Sequence, residues 1–239
     1  MSQQQESSVE NLSDEVIKQK LDSLFQSPES LIQAAKNYSC RPHLTETEQE
    51  SVYYYYLLKC FIAEHQCYIA SVSVQTYNEH RMALDHFFRA KIEQNESHNN
   101  KARGHLNRAL LDIIKINCYF LSSRVKAIHK TIPNKAVGIV SNGKYIQDYF
   151  EKQKNAEDLL MFARIEDNKM GNCVYADKVI LEHFIVAYFA HKKWFEFQSQ
   201  NLGKIAWAKT KYYMLSGLSI TGAFLLGLAV NYLSNILFN

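Results

Sequence analysis

The chain has 239 residues, 47% hydrophobic and 13% aromatic, enough apolar material to bury a core, which excludes a disordered chain. Its five cysteines (Cys40, Cys60, Cys67, Cys118, Cys173) are odd in number and contain no C-x-x-C pair; this excludes a disulfide scaffold and reads as reduced core thiols. Net charge is only +3 but unevenly placed: residues 1–50 carry nine acidic and four basic side chains (net −5), residues 51–211 fifteen and twenty-three (net +8), and residues 212–239 none.

Three prolines and eight glycines, three of the glycines in the uncharged C-terminal stretch, leave long helices uninterrupted. Residues 1–11 read as a polar, acidic tail without the basic start and apolar run of a signal peptide. Ser13 can cap a helix reaching about Gln26, and Ser27 followed by Pro28 starts another. After a turn at Pro42, Thr45 and Glu48 form a capping box ahead of an apolar run from Val52 to Val74 that includes Tyr53, Tyr54, Tyr55 and Tyr56. Its apolar residues point in nearly every helical direction, so this helix is expected to be central. Lys59 and Glu64 argue against a membrane span there, because a charge at a bilayer centre costs about 2.5–3.5 kcal/mol.

Helices follow over about Asn78 to Gln94 and Ala102 to Lys130, an αα-hairpin with its turn at Asn95 to Asn100. Pro133 ends the second arm, and Gly138 and Gly143 mark a loop. Two more helices are predicted, from about Lys144 to Asp167 and from about Cys173 to Gln200, and Gly203 is a joint before the last segment. Near the end of the second of these, His191, Lys192, Lys193, Trp194, Phe195, Glu196 and Phe197 mix basic and aromatic character. They read either as a surface for membrane or nucleic acid or as an amphipathic helix with its aromatics inward.

From Tyr212 to Asn239 there is no charged residue. A helix of that length reaches about 42 Å, against a hydrocarbon core of about 30 Å, so the expectation is a single transmembrane anchor. Lys204, Lys209 and Lys211 precede it, nothing basic follows, and Trp207, Tyr212 and Tyr213 suit the headgroup boundary. This places the N-terminal body in the cytosol, in tail-anchored topology. Within the span Ser219, Ala223 and Gly227 recur every four residues, a small-residue strip along which a second helix can approach.

Several constellations bear on chemistry. His86-x-x-Arg89-Ala90-x-x-Glu93 is matched by His105-x-x-Arg108-Ala109-x-x-Asp112. If the hairpin folds about Asn99, Arg89 and Arg108 meet and, with His86 and His105, clamp a phosphate or carboxylate; otherwise each arginine pairs with the carboxylate four residues on, worth about 0.2–0.5 kcal/mol. Arg124 and His129, and likewise Arg81 and His86, have the spacing R-x4-H, which is similar to the motif of the helical HEPN ribonucleases. The resemblance covers six residues and implies RNA cleavage through Arg124 and His129. It departs from the family pattern in that Val125 and Met82, rather than a polar residue, follow the arginines. Glu182, His183 and His191 do not have metal-ligand spacing, and no phosphate loop, nucleophile elbow or dinucleotide fingerprint occurs, so no metal and no cofactor are expected.

The sequence therefore predicts an all-α protein: a bundle of about six to seven helices over residues 12–203, then a basic and aromatic flank with a transmembrane anchor over 204–239. The function expected is a membrane-tethered interaction or scaffold protein, with membrane lipid and a protein partner or second copy as its contacts. A tethered ribonuclease acting on RNA and a membrane-disturbing effector are the alternatives.

Overall fold

The computed structural model describes residues 23, 25–69, 71–170 and 174–238, with backbone alone at 170, 174–177, 220 and 229–238. The polar tail and nearly all of the helix expected from Ser13 lie outside the described residues, as does Cys173. Among the described residues the protein is all-helical, with no strand. Its helices are α1 (Pro28–Ser39), α2 (Glu46–Tyr68), α3 (Val74–Glu93), α4 (Ser97–Lys130), α5 (Asn134–Val137), α6 (Lys144–Met170), α7 (Val174–Gln200) and α8 (Leu202–Phe238), and a 3-10 turn at Val140–Gly143 precedes α6. The chain divides into two compact units, Met1–Asn117 with Ile165–Phe189 and Cys118–Arg164 with Ala190–Asn239.

In the first unit the helix starts expected at Ser27 and Thr45 are present in atomic detail, whereas the helix expected from about Asn78 starts at Val74, capped by Ser73. Ser30 N–H donates to the Ser27 hydroxyl at 3.2 Å with Pro28 in the first turn. Glu48 N–H donates to Thr45 Oγ1 at 3.3 Å, and Thr45 N–H donates to Glu48 Oε2 at 3.0 Å. Helix α2 is indeed central: Tyr53, Tyr54, Leu57, Leu58 and Phe61 are all buried. Phe61 meets Tyr188 edge to face at 5.0 Å, and the Tyr188 hydroxyl donates to Glu64 at 2.7 Å. The imidazole of His65 is buried between Asn117 Oδ1 (2.6 Å) and the Ser71 carbonyl (3.1 Å), while Asn117 Nδ2 donates to the Phe61 carbonyl at 3.2 Å.

Glu48 serves two elements at once, since its other oxygen accepts from Lys91 Nζ on α3 at 2.6 Å. The Lys91 hydrogen bond first, and then those from Thr45, outweigh burial and pull the carboxyl from its ordinary 4.5 down to about 2. A folded-state value below the unfolded one means that the ionised group stabilises the fold above about 4.5. That contribution is lost as pH falls toward about 2. Glu48→Gln is expected to flatten the acid side of the stability profile in that window and leave the region above it nearly level, read from denaturation midpoints against pH.

The second unit is built around aromatic rings. Trp194 is fully buried with Tyr145 and Tyr149, among Val125, Ile132, Ala136 and Val140. Tyr149 meets Trp194 at 5.5 Å and 64°, and the Tyr145 hydroxyl donates to Gln198 Oε1 at 2.7 Å. Of the two readings of residues 191–197, the structure takes the helix with its aromatics inward and not the surface for lipid or nucleic acid. Trp194 faces the core, Phe195 and Phe197 pack against it, and Lys193 is on the exposed side, as in an amphipathic helix. The base of α8 docks through Ile205 and Ala208, both buried, on α5 and the 3-10 turn.

Candidate functional site

The hairpin α3–α4 turns earlier than a fold about Asn99 needs. Gln94 adopts a left-handed conformation (φ 53°) that ends α3, Asn95 Oδ1 accepts from Ser97 N–H at 3.0 Å, and α4 begins at Ser97. Residues 97–100 of the stretch expected as a turn thus form the first turn of α4, and residues 95–96 remain in the turn. This shift separates the two arginines. Arg89 pairs with Asp85, four residues earlier, at 3.0 Å, and Arg108 Nε pairs with Glu79 of α3 at 3.0 Å. Neither the double-arginine clamp nor the pairings Arg89–Glu93 and Arg108–Asp112 are formed; Glu93 instead contacts His98 at 3.0 Å.

What the hairpin does bring together is three imidazoles. His86 stacks on His105 (5.2 Å, 17°) and on His98 (5.2 Å, 29°), with the Nδ1 atoms of His86 and His98 3.0 Å apart. His105 Nδ1 lies 2.7 Å from Glu79 Oε2 and 2.8 Å from Arg108 Nη2. A proton on that nitrogen donates to Glu79, and its lone pair accepts from Arg108, so the two contacts are alternatives belonging to different tautomers. Burial pushes the Glu79 carboxyl up, but hydrogen bonds from His105 and Arg108 outweigh it and the net shift is downward. Burial, with the adjacent His105 and His98, holds the His86 imidazole below its ordinary value. His98 and Glu79 were missed from sequence; a signal existed, because His98 and His105 are seven residues apart and share one face of α4. Among the described residues no group of three or more His, Cys, Asp or Glu side chains is arranged to hold a metal ion.

Arg124 and His129 have separate partners. Arg124 is exposed, with its guanidinium over Phe120 at 5.2 Å, whereas His129 stacks on Tyr149 at 4.0 Å and its Nδ1 lies 3.3 Å from the Tyr145 hydroxyl. Five residues along a helix rotate a side chain by about 140°, so the spacing that resembles a ribonuclease motif does not assemble a joint site within this chain. Burial holds the His129 imidazole below its ordinary value.

The remaining candidate is α8. Its base has two faces. Ile205, Ala208 and the half-buried Tyr212 lie on the docked side, while Lys204, Trp207 and Lys211 are exposed, Lys211 resting over the Trp207 ring at 4.9 Å. Lys209 Nζ reaches Thr131 Oγ1 at 3.4 Å. A cavity of about 450 Å³ opens between this base and the 3-10 turn, lined by Val140, Ser141, Asn142, Lys204 and Trp207 among others. From Tyr213 onward the described side chains are almost all exposed, including Met214 (66%), Leu218 (69%), Phe224, Leu225 and Leu226 (69%). Ser219, Ala223 and Gly227 are exposed with them. Ser219 and Thr221 turn their hydroxyls back onto the Ser216 and Gly217 carbonyls, at 3.0 and 2.9 Å. Among the described residues no helix is long and apolar enough to cross a membrane, and the side chains of Ile220 and of 229–239, which the expected span includes, lie outside them. Comparison with protein-family models, with curated proteins and with solved structures gives no match for this chain, so its function is argued from these residues alone.

Proposed function

We propose that this protein is a membrane-tethered helical interaction module, with its two helical units on the cytosolic side and α8 beyond Tyr212 lodged in the bilayer. The observation that carries the reading is the state of the described residues from Met214 to Leu228. They are uncharged and mostly apolar, and among the described residues their side chains are almost all exposed. In water such a shaft exposes several large apolar groups, each worth about 1.5–3 kcal/mol when buried, whereas lipid covers them. Lys204, Lys209 and Lys211 at its base suit anionic headgroups, at about 1 kcal/mol each near a charged surface, and Trp207 and Tyr213 suit the boundary. The strip of Ser219, Ala223 and Gly227 offers a site for a second helix in the membrane.

The full chain, made in the presence of phospholipid vesicles, is expected to float with them through a density gradient and to resist extraction by alkaline carbonate. Recovery at the bottom of the gradient as a dispersed protein without detergent would defeat the proposal.

A further inference from the structure

Helix α3 is built the wrong way round for a helix that only closes a core. Its buried residues are Thr76, Ala83 and Ala90, small and seven apart, so they form a narrow seam against the rest of the first unit. Most of its large apolar residues are exposed, Val74 (75%), Tyr77, Leu84, Phe88 and Ile92 (81%), while Phe87 is half-buried. Val74, Tyr77, Arg81, Asp85, Phe88 and Ile92 follow one another at intervals of three and four residues, which places them along one face. The two charges at its middle, Arg81 and Asp85, are both exposed.

We propose that this face of α3 is a homodimer interface, occupied by α3 of a second copy of the chain in antiparallel register about a two-fold axis near Ala83. The pattern of charge selects both the partner and the direction. In that register Arg81 lies opposite Asp85 of the second copy, and the axis repeats the pair. Tyr77 lies opposite Arg89 of the second copy, and Val74 opposite its Ile92. A parallel pairing in register would instead set Arg81 against Arg81 and Asp85 against Asp85. Asp85 already accepts from Arg89 of its own chain at 3.0 Å, and a carboxylate has room to accept a second guanidinium. The 20 residues of α3 give a contact about 30 Å long. This inference does not rest on the membrane reading, since every residue it uses is in the first unit.

The test is sedimentation of the full chain in a detergent that keeps it dispersed. The native chain is expected to be a dimer. Phe88→Glu with Ile92→Glu should give a monomer of unchanged helicity and melting temperature, because both residues are exposed. Arg81→Asp should weaken the dimer at least about tenfold, because it sets two carboxylates opposite one another, and adding Asp85→Arg should restore it. A monomeric native chain would overturn the proposal. So would a double-glutamate variant that remains dimeric, or a double charge swap no tighter than Arg81→Asp alone.

Discussion

Leu218→Arg combined with Leu225→Arg is expected to release the chain from vesicles into the soluble fraction. The two residues are seven apart on α8, so both arginines fall on one side of a shaft whose described side chains are uncharged and almost all exposed. Each arginine at mid-bilayer depth costs about 2.5–3.5 kcal/mol, so the pair removes about 5–7 kcal/mol of insertion free energy. Arginine at Met161, also apolar and exposed but on α6, adds the same charge and should leave flotation unchanged. If the α8 double variant floats as well as the native chain, lipid is not what covers this helix, and the functional reading above fails with it.

The second large effect concerns Trp194. Trp194→Ala should cost about 3–5 kcal/mol and lower the melting temperature by about 6–20 °C, because it removes the largest fully buried side chain among the described residues. Lys193→Ala, one residue away and exposed, should change stability by less than about 0.5 kcal/mol. Among the described residues the indole N–H of Trp194 finds no acceptor. Trp194→Phe therefore exchanges lost volume against an unmet donor worth about 1–3 kcal/mol, and it should be much better tolerated than alanine. Thermal unfolding followed by circular dichroism separates the three variants. Were Trp194 an exposed platform for lipid or nucleic acid, alanine would instead leave the melting temperature in place and reduce binding.

These expectations differ in how much of their basis could be read in advance. Helix starts were legible because capping is local chemistry. Ser27 beside Pro28, and Thr45 three residues before Glu48, satisfy the first backbone N–H groups from within the same turn, and no distant residue alters that. The centrality of the tyrosine-rich helix was legible for a similar reason, since a helix apolar in every direction has to be surrounded. The hairpin turn was not. Residues 95–100 are polar enough for a loop, and only the left-handed Gln94 and the Asn95 cap place the start of α4 at Ser97. The earlier turn shifts the register of the two arms, which sends Arg108 to Glu79, ten residues before Arg89, and gathers His86, His98 and His105 in place of the two arginines.

The sequence by itself determined the helical class, the capped starts and the uncharged apolar end, because each follows from propensity, local hydrogen bonding and the transfer of side chains out of water. Tertiary structure alone decided which charges meet across helices, that Trp194 faces inward, and that α3 turns its small residues in and most of its large apolar ones out. Those outcomes depend on the angle and register at which helices pack, and side chains distant in the chain fix both. A difference of a few residues in a turn therefore changes every contact beyond it.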